Sequence, residues 1–193
     1  MKKYKLTKDT IQILGKTLYR IKALKDFGNV KAGDLGGYIE SESNLSHAGN
    51  AWVYDNALVF GNARVYGNSV VCGNAQVFDY ARIYGDTKVY GNSVVYGNSR
   101  IFENARVFGN AVVSGDSELT KAVLNIDAPI LYHYNITFTD HHIKIGCKQM
   151  LYLKWLEVGR EDAVDMGLSG ECYDRLEEIL PILIKQYYGG SKL

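Results

Sequence analysis

Cysteine, long apolar runs and excess charge are all scarce in this sequence of 193 residues. Its three cysteines, Cys72, Cys147 and Cys172, are odd in number and match no metal-ligand spacing. We therefore expect reduced thiols in a cytoplasm rather than a disulfide framework. No stretch approaches the roughly 18 apolar residues that a membrane-spanning helix needs, so we expect no contact with a membrane.

Charge of either sign is nearly balanced, with 22 Lys and Arg against 21 Asp and Glu, which gives a net charge of +1. Global electrostatics therefore attract no particular partner, and only a local patch can do so. The amino-terminal MKKYKLTKDTIQ is basic but has no apolar segment behind it, so we expect no signal peptide and a cytoplasmic location.

A six-residue repeat, in contrast, is abundant and runs without a gap from Gly49 to Thr120. Units such as GNARVY, GNSVVC and GNAQVF share a small third residue and a branched aliphatic fifth residue. These two positions point to the same inward face of a short strand, and the fourth residue points outward. Gly-Asn or Gly-Asp then supplies a corner, because these residues tolerate positive φ.

Three strands and three corners close a triangular coil of 18 residues, so the repeat predicts a mainly β fold. We expect a single parallel β-solenoid with about four regular coils, stacked roughly 4.8 Å apart. A helix does not fit, because a glycine every six residues would break it.

Both ends of a solenoid expose unpaired strand edges, which caps protect. Residues 1–48 predict an amino-terminal β-hairpin cap, turning at Gly15-Lys16, and a lead-in coil before the regular repeat of residues 49–120. Residues 121–193 predict a carboxy-terminal cap of strands and helices. Its last helix, from about Gly170 to Tyr188, carries an apolar stripe. We expect this stripe to cover the last coil or to join a neighbouring subunit.

The repeat resembles the hexapeptide repeat of left-handed parallel β-helices. Its flanks, TLYRIKALKDFGNVKAGDLGGYIE and NITFTDHHIKIGCKQMLYLKWLE, are similar to those of phage- and prophage-encoded proteins of this type. The resemblance implies a left-handed winding, with a right-handed, bactofilin-like solenoid as the alternative. It also implies a host-cell cytoplasmic protein, and the group it points to has no established activity.

Residues 18 apart stack in columns, and one such face alternates cations with flat rings, an arrangement that holds phosphates and stacks bases. We predict that this arginine face binds an anionic nucleotide or nucleic acid, although a solvated face is the alternative. Glu118 ends its cationic column. The residues of the arginine face are Arg64, Arg82, Arg100, Tyr66, Tyr84 and Phe102.

A second face is mostly apolar, and monomers rarely leave such a patch in water. We therefore predict a homo-oligomer that uses this apolar face, and the resemblance implies a trimer. The alternative is that a terminal segment of the same chain folds back over it. The residues of the apolar face are Leu58, Val94, Val112, Phe60, Phe78 and Tyr96.

Catalysis finds little support in the sequence. The resemblance brings acyl-CoA acyltransferases to mind, which need a general-base histidine near a subunit interface. None of the four histidines lies within the repeat, which also argues against a zinc site of three histidines, so we expect neither a metal nor a cofactor. The histidines are His47, His133, His141 and His142.

The sequence therefore favours a non-enzymatic, phage-type binding or scaffold protein that works as a homo-oligomer. A concrete hypothesis is antagonism of a host defence, by sequestering a nucleotide signal or by occupying a nucleic acid or host protein. An acyltransferase that uses His47 and a purely structural oligomer are the alternatives.

Overall fold

A computed structural model describes residues 2–127 and 135–189 of the chain. The chain divides into two compact units, Met1–Val123 and Leu124–Leu193. The first unit contains all of the hexapeptide repeats, and the second contains the α-helices described below. His133 lies outside the described residues.

The first unit begins with a long hairpin of β1 (Tyr4–Ile13) and β2 (Lys16–Ala23), followed by β3 (Leu35–Ile39) and a 3-10 turn (Glu42–Asn44). Twelve strands of two residues each follow, one for every repeat. They are β4 (Trp52–Val53), β5 (Leu58–Val59), β6 (Arg64–Val65), β7 (Val70–Val71), β8 (Gln76–Val77), β9 (Arg82–Ile83), β10 (Lys88–Val89), β11 (Val94–Val95), β12 (Arg100–Ile101), β13 (Arg106–Val107), β14 (Val112–Val113) and β15 (Glu118–Leu119).

These short strands stack into three parallel sheets. The sheet orders of the repeat strands are β4-β7-β10-β13, β5-β8-β11-β14 and β6-β9-β12-β15, so each pairs with the strand three repeats away. Strands β3, β2 and β1 extend the second of these sheets beyond β5. Partners within the repeat are 18 residues apart, as in Trp52 opposite Val70. The predicted parallel β-solenoid is therefore confirmed, with about five turns.

The core of the solenoid is a column of small and aliphatic side chains. The third and fifth residues of the repeats, such as Ala81 and Ile83, are fully buried, whereas Arg82 between them is exposed. At the amino-terminal end Tyr4 and Ile21 belong to the same buried cluster as Ala51 and Val53 of the first repeat. The amino-terminal segment thus closes the end of the core with its own apolar side chains.

The hairpin also covers part of the apolar face. Strand β2 pairs antiparallel with β3, and Leu18 of β2 packs with Tyr38 against Leu58 and Phe60. Leu58 and Phe60 are 9% and 3% exposed, so these two residues are buried inside the chain rather than presented to another subunit. The prediction that Leu58 and Phe60 form an oligomer interface is therefore wrong. The alternative, in which a terminal segment of the same chain folds back over the face, fits these two residues.

The rest of the apolar face is half-buried. Phe78 stacks on Tyr96 with 5.2 Å between ring centroids, and Val94 lies opposite Val112 in the parallel register. Phe78 also packs against the cluster that the hairpin covers. For these four residues an interface with another copy stays a prediction.

Three corners of the solenoid carry an acid where most repeats have glycine. Asp55, Asp79 and Glu103 adopt φ values of 54°, 57° and 58° in the left-handed region. The Asp55 carboxylate accepts a hydrogen bond of 2.9 Å from the backbone N–H of Gly73, one coil further on. This bond between coils offsets part of the cost of placing a side chain at positive φ.

Gly97 is a corner where glycine is required for two reasons. Its φ is +72°, and an added Cβ would lie 2.8 Å from the backbone nitrogen of Gly115 in the next coil. The left-handed conformation alone costs a side chain about 1–2 kcal/mol. A contact with backbone adds to this, because the neighbouring coil cannot rotate out of the way.

Gly97→Ala is therefore expected to lower the free energy of unfolding by about 2–3 kcal/mol. Gly15→Ala is the matched control, since Gly15 has a φ of +76° in the hairpin turn but nothing within 4 Å of the added Cβ. We expect the control to lose only about 1 kcal/mol. Urea unfolding followed by circular dichroism measures both, and equal losses would show that the contact between coils carries no cost.

The second unit is a four-stranded antiparallel sheet followed by helices. Strands β16 (Leu124–Asp127), β17 (Asn135–Phe138), β18 (His142–Ile145) and β19 (Lys148–Leu151) pair in sequence order. Helices α1 (Tyr152–Trp155), α2 (Arg160–Asp165) and α3 (Gly170–Tyr188) follow. This agrees with the predicted strands and helices, whereas their role as a cap on the solenoid stays a prediction.

Helix α3 packs on the sheet of its own unit. Ser169 caps its first turn by accepting a hydrogen bond from the N–H of Cys172, and the helix continues through Pro181. Its buried residues Leu176 and Leu180 belong to one cluster with Phe138 of β17. Within its own unit the stripe therefore packs on the antiparallel sheet. That it also covers the last coil or joins a neighbouring subunit stays a prediction.

Candidate functional site

The three arginines of the arginine face form one column on neighbouring coils. Arg64 on β6 lies opposite Arg82 on β9, which lies opposite Arg100 on β12. All three are exposed, because the fourth position of each repeat points away from the core. The structure therefore brings together the cations that the 18-residue period predicted.

An aromatic column runs beside them. Tyr66 stacks on Tyr84 with 5.0 Å between ring centroids, and Tyr84 stacks on Phe102 at 5.3 Å. Burial raises the pKa of the Tyr66 hydroxyl, and Tyr84 adds to this, whereas the neighbouring arginines oppose it. The Tyr66 hydroxyl therefore stays protonated, and its ring uncharged, at neutral pH. All six residues that the sequence predicted for this face lie on it.

Free positive charge is concentrated at the amino-terminal half of the face. Arg100 forms an exposed ion pair of 3.2 Å with Glu118, the residue that ends the column. Among the described residues, Arg64 and Arg82 lie in no ion pair. A ligand that is attracted by charge therefore meets these two guanidinium groups first.

A groove of about 440 Å³ lies at this same end. Its lining combines two of these arginines and Tyr66 with residues of the lead-in coil (residues 35–48). The lining residues are Glu42, Ser43, Leu45, Ser46, His47, Arg64, Val65, Tyr66 and Arg82. The volume falls within the range of sites for small ligands.

The lead-in wall of the groove is held by hydrogen bonds to the first regular coil. The buried side chain of Asn44 donates to the carbonyl oxygens of Gly61 and Ala63, both at 3.0 Å. The backbone N–H of Ser46 donates to the carbonyl of Val65 at 2.9 Å. The wall is thus fixed before any ligand arrives, which reduces the entropic cost of binding.

His47 joins the amino terminus to this wall. Its Nδ1 accepts a hydrogen bond of 3.2 Å from the backbone N–H of Lys3, and its ring stacks on Tyr4 at 4.3 Å. In the neutral ring the proton is therefore on Nε2, which faces the Glu42 carboxylate at 3.5 Å. Because neither nitrogen offers a lone pair to the groove, this geometry does not suit a general base.

Glu42 is the one acidic side chain that lines the groove. Its Oε1 lies 2.6 Å from Lys2 Nζ, and this hydrogen bond, together with His47, lowers the pKa of the Glu42 carboxyl despite some desolvation. The carboxylate is thus already engaged with a cation at neutral pH. Because its charge is paired, Glu42 repels an anion in the groove less strongly than an unpaired carboxylate would, and Arg64 and Arg82 still attract the anion.

A second concavity of about 440 Å³ lies on the tryptophan face (Trp52, Val70, Lys88 and Arg106). Lys88 lies opposite Arg106 in register there, and Tyr90 stacks on Phe108. Cys72 also lines it, and burial raises the pKa of its thiol, so Cys72 is not an activated nucleophile. This concavity has two cations of its own and supplies a matched control for the arginine face.

No group of three or more His, Cys, Asp or Glu side chains within residues 2–127 and 135–189 could hold a metal ion. Of the helices in that part of the chain, none combines the length and the apolar composition needed to cross a bilayer.

Taken together, three stacked parallel sheets and an in-register outer surface define a β-solenoid protein with a cationic face. Within the coils, residues 51–67, 59–73 and 99–115 match the family model of the YdcK Beta solenoid repeat. None of the curated proteins compared matches the chain. The match describes a repeat and names no activity.

Proposed function

We propose that this solenoid is a non-enzymatic binding protein and that its arginine face holds a phosphate-bearing anion. The observation that carries the proposal is the position of Arg64 and Arg82, which lie in register, in no ion pair of the described residues, and both in one groove. Guanidinium groups bind phosphate oxygens through two parallel hydrogen bonds, more specifically than an ammonium does.

Electrostatics favour an occupied groove over an empty one. Two unit charges on adjacent coils repel by up to about 1 kcal/mol in water and by a few kcal/mol where solvent is partly excluded. A bound phosphate replaces this repulsion with attraction. Because the sheet holds Arg64 opposite Arg82, the backbone spacing of the two cations needs no adjustment on binding.

The biological role that we propose follows from the resemblance to phage- and prophage-encoded proteins. Such a protein in a host cytoplasm would antagonise a defence system by sequestering an anionic signal or by occupying a nucleic acid or host protein. Self-association into a homo-oligomer, for which the resemblance implies a trimer, remains part of this proposal. Sedimentation velocity of the full chain measures the oligomeric state directly.

The acyltransferase alternative is weaker, because His47 is committed to Lys3 on one nitrogen and faces Glu42 with the other. A purely structural oligomer is the second alternative. It predicts that substitutions on the arginine face leave every binding property unchanged, so one experiment separates it from the proposal.

The double variant Arg64→Gln with Arg82→Gln is expected to weaken binding of inorganic pyrophosphate at least tenfold, because it removes both guanidinium groups that line the groove. Isothermal titration calorimetry at two salt concentrations measures the affinity, and the salt dependence should become shallower in the variant.

Lys88→Gln with Arg106→Gln is the control, since it removes the same charge from the tryptophan face. We expect it to bind pyrophosphate like the unmodified chain. If the unmodified chain binds no pyrophosphate, or if the control loses as much affinity as the variant, the arginine face is not the site.

A further inference from the structure

We infer that the ligand of this groove is a single nucleotide, with its base stacked on Tyr66 and its phosphate held by Arg64 and Arg82. This inference rests on the proposed function, which supplies the anion site, and it adds the identity of the group attached to the phosphate. Three features carry it: the position of Tyr66, the hydroxyls of the lead-in coil, and the extent of the cationic column.

Tyr66 is the first ring of the aromatic column. It stacks on Tyr84 of the following coil, while the preceding coil places Ser46 and His47 along the groove. Since the ring is packed on the side of the following coil, its other side borders the groove. A flat, neutral aromatic face beside two guanidinium groups suits a nucleobase joined to a phosphate.

The opposite wall offers hydrogen-bonding groups for a sugar or a base. Ser46 Oγ accepts a hydrogen bond of 3.1 Å from the backbone N–H of Ala48, which leaves its O–H as a donor. Ser43 lines the groove beside it, and Glu42 supplies carboxylate oxygens that accept. The hydroxyl donors also suit phosphate oxygens, but the Glu42 carboxylate needs a donor, which pyrophosphate at neutral pH does not readily supply, whereas a nucleoside has both donors and acceptors.

The cationic column is too short for a nucleic acid strand. It ends at Arg100, which is neutralised by Glu118 at 3.2 Å, and the Asp86 corner beside Tyr84 is also acidic. The net charge of +1 supplies no wider attraction for a polymer. A groove of about 440 Å³ matches a ligand with one phosphate and one base.

Calorimetry with AMP, ribose 5-phosphate and inorganic pyrophosphate tests this inference on the full chain. We expect AMP to bind at least tenfold more tightly than ribose 5-phosphate, because stacking on an aromatic ring adds affinity that the sugar phosphate lacks. An unstructured oligothymidylate of fifteen nucleotides, which is longer than the face, is expected to bind no more tightly than AMP.

Tyr66→Leu should remove the advantage of AMP and leave the affinity for ribose 5-phosphate unchanged, since the arginines remain. Tyr66→Phe is the conservative variant and should keep the advantage, because stacking needs the ring and not the hydroxyl. Thermal unfolding of both variants shows whether the aromatic column survives, and the comparison of AMP with ribose 5-phosphate on the unmodified chain keeps the test decisive if Tyr66→Leu does not fold.

The outcomes separate this inference from the proposed function. Tight pyrophosphate binding with no advantage for AMP, or an equal loss of AMP and ribose 5-phosphate in Tyr66→Leu, would overturn the nucleotide and leave the anion site standing. Tighter binding of the oligothymidylate would replace the nucleotide with a nucleic acid. If none of the probes binds, the proposed function itself fails.

Discussion

Replacing Leu18 with alanine is expected to lower the free energy of unfolding by about 2–5 kcal/mol. Leu18 is fully buried, although it lies on β2, outside the repeat, and it packs with Tyr38 over Leu58 and Phe60 on the apolar face. Deleting three side-chain carbons there leaves a cavity between the hairpin and the solenoid. Denaturant unfolding of the full chain measures the loss.

Leu14→Ala is the matched control on the same hairpin. Leu14 lies at the turn and is 83% exposed, so we expect a change within about 0.5 kcal/mol. If Leu18→Ala is as mild as this control, the hairpin does not cover the apolar face in solution. Sedimentation would then be expected to show a second copy in its place.

The same pair of variants bears on oligomerisation. Loosening the hairpin exposes Leu58 and Phe60, and a contiguous apolar surface promotes association. Leu18→Ala is therefore expected to raise the apparent mass at high protein concentration relative to Leu14→Ala. The hairpin thus satisfies within one chain part of the surface from which the sequence predicted an interface.

The regular part of the fold could be predicted because its period is strict. Eighteen residues per coil place Arg64, Arg82 and Arg100 in one column, and the parallel register confirms that geometry. The same spacing also placed Glu118 after Arg100, so their ion pair was implicit in the column. The signal for which cations are free was therefore present in the sequence.

The groove could not be predicted, because the lead-in coil departs from the period. Tyr38 of β3 pairs with Leu58, so this coil spans 20 residues instead of 18. Without the period, sequence gives no register for Ser46 or His47, and their place beside Tyr66 depends on tertiary hydrogen bonds. Asn44 supplies two of these from a side chain that no periodic pattern marks.

The path of the hairpin was open for a similar reason. Alternation of apolar and polar residues predicted β1 and β2, and the turn falls at Leu14 and Gly15, one residue before the predicted position. Alternation defines the two faces of a hairpin but not the surface that it meets. Which face of the solenoid it covers is decided by shape and by pairing with β3.

Raising the pH from 7 to 10 is expected to stabilise the unmodified chain relative to Lys3→Met by about 2–3 kcal/mol. Lys3 is fully buried at the end of the solenoid, where its Nζ donates 2.7 Å to the carbonyl of Ala51 and lies 4.9 Å from the ring centroid of Phe27. Desolvation first, and the charge of Lys25 second, lower the pKa of Lys3 from 10.5 to about 8.

The sign follows from the protons bound. Between pH 8 and 10.5 the unfolded chain keeps Lys3 protonated, whereas the folded chain releases the proton, so the free energy of unfolding rises with pH in this window. Below pH 8 the folded chain keeps Lys3 charged, and burial of this charge then lowers the free energy of unfolding by its full amount. Methionine carries no charge and removes this contribution at every pH.

Subtracting the free energy of unfolding of Lys3→Met from that of the unmodified chain cancels the contribution of the tyrosines, which changes with pH in the opposite direction. Burial raises the pKa of Tyr4 in the folded chain, so its stabilising contribution is present below the unfolded value near 10 and is lost as pH rises above it. Urea unfolding at several pH values between 7 and 10 gives the difference curve. Both proteins contain Tyr4, so its effect is common to them.

Lys25→Met is the variant that tests the cause. Because it removes the neighbouring positive charge, it is expected to move the rise in stability toward higher pH. The rise should not disappear, because desolvation at the solenoid end still lowers the pKa of Lys3. A difference curve between the unmodified chain and Lys3→Met that stays flat from pH 7 to 10 would mean that the Lys3 ammonium is solvated. The amino terminus would then not close the end of the core, and the wall that His47 ties to Lys3 would lose its anchor.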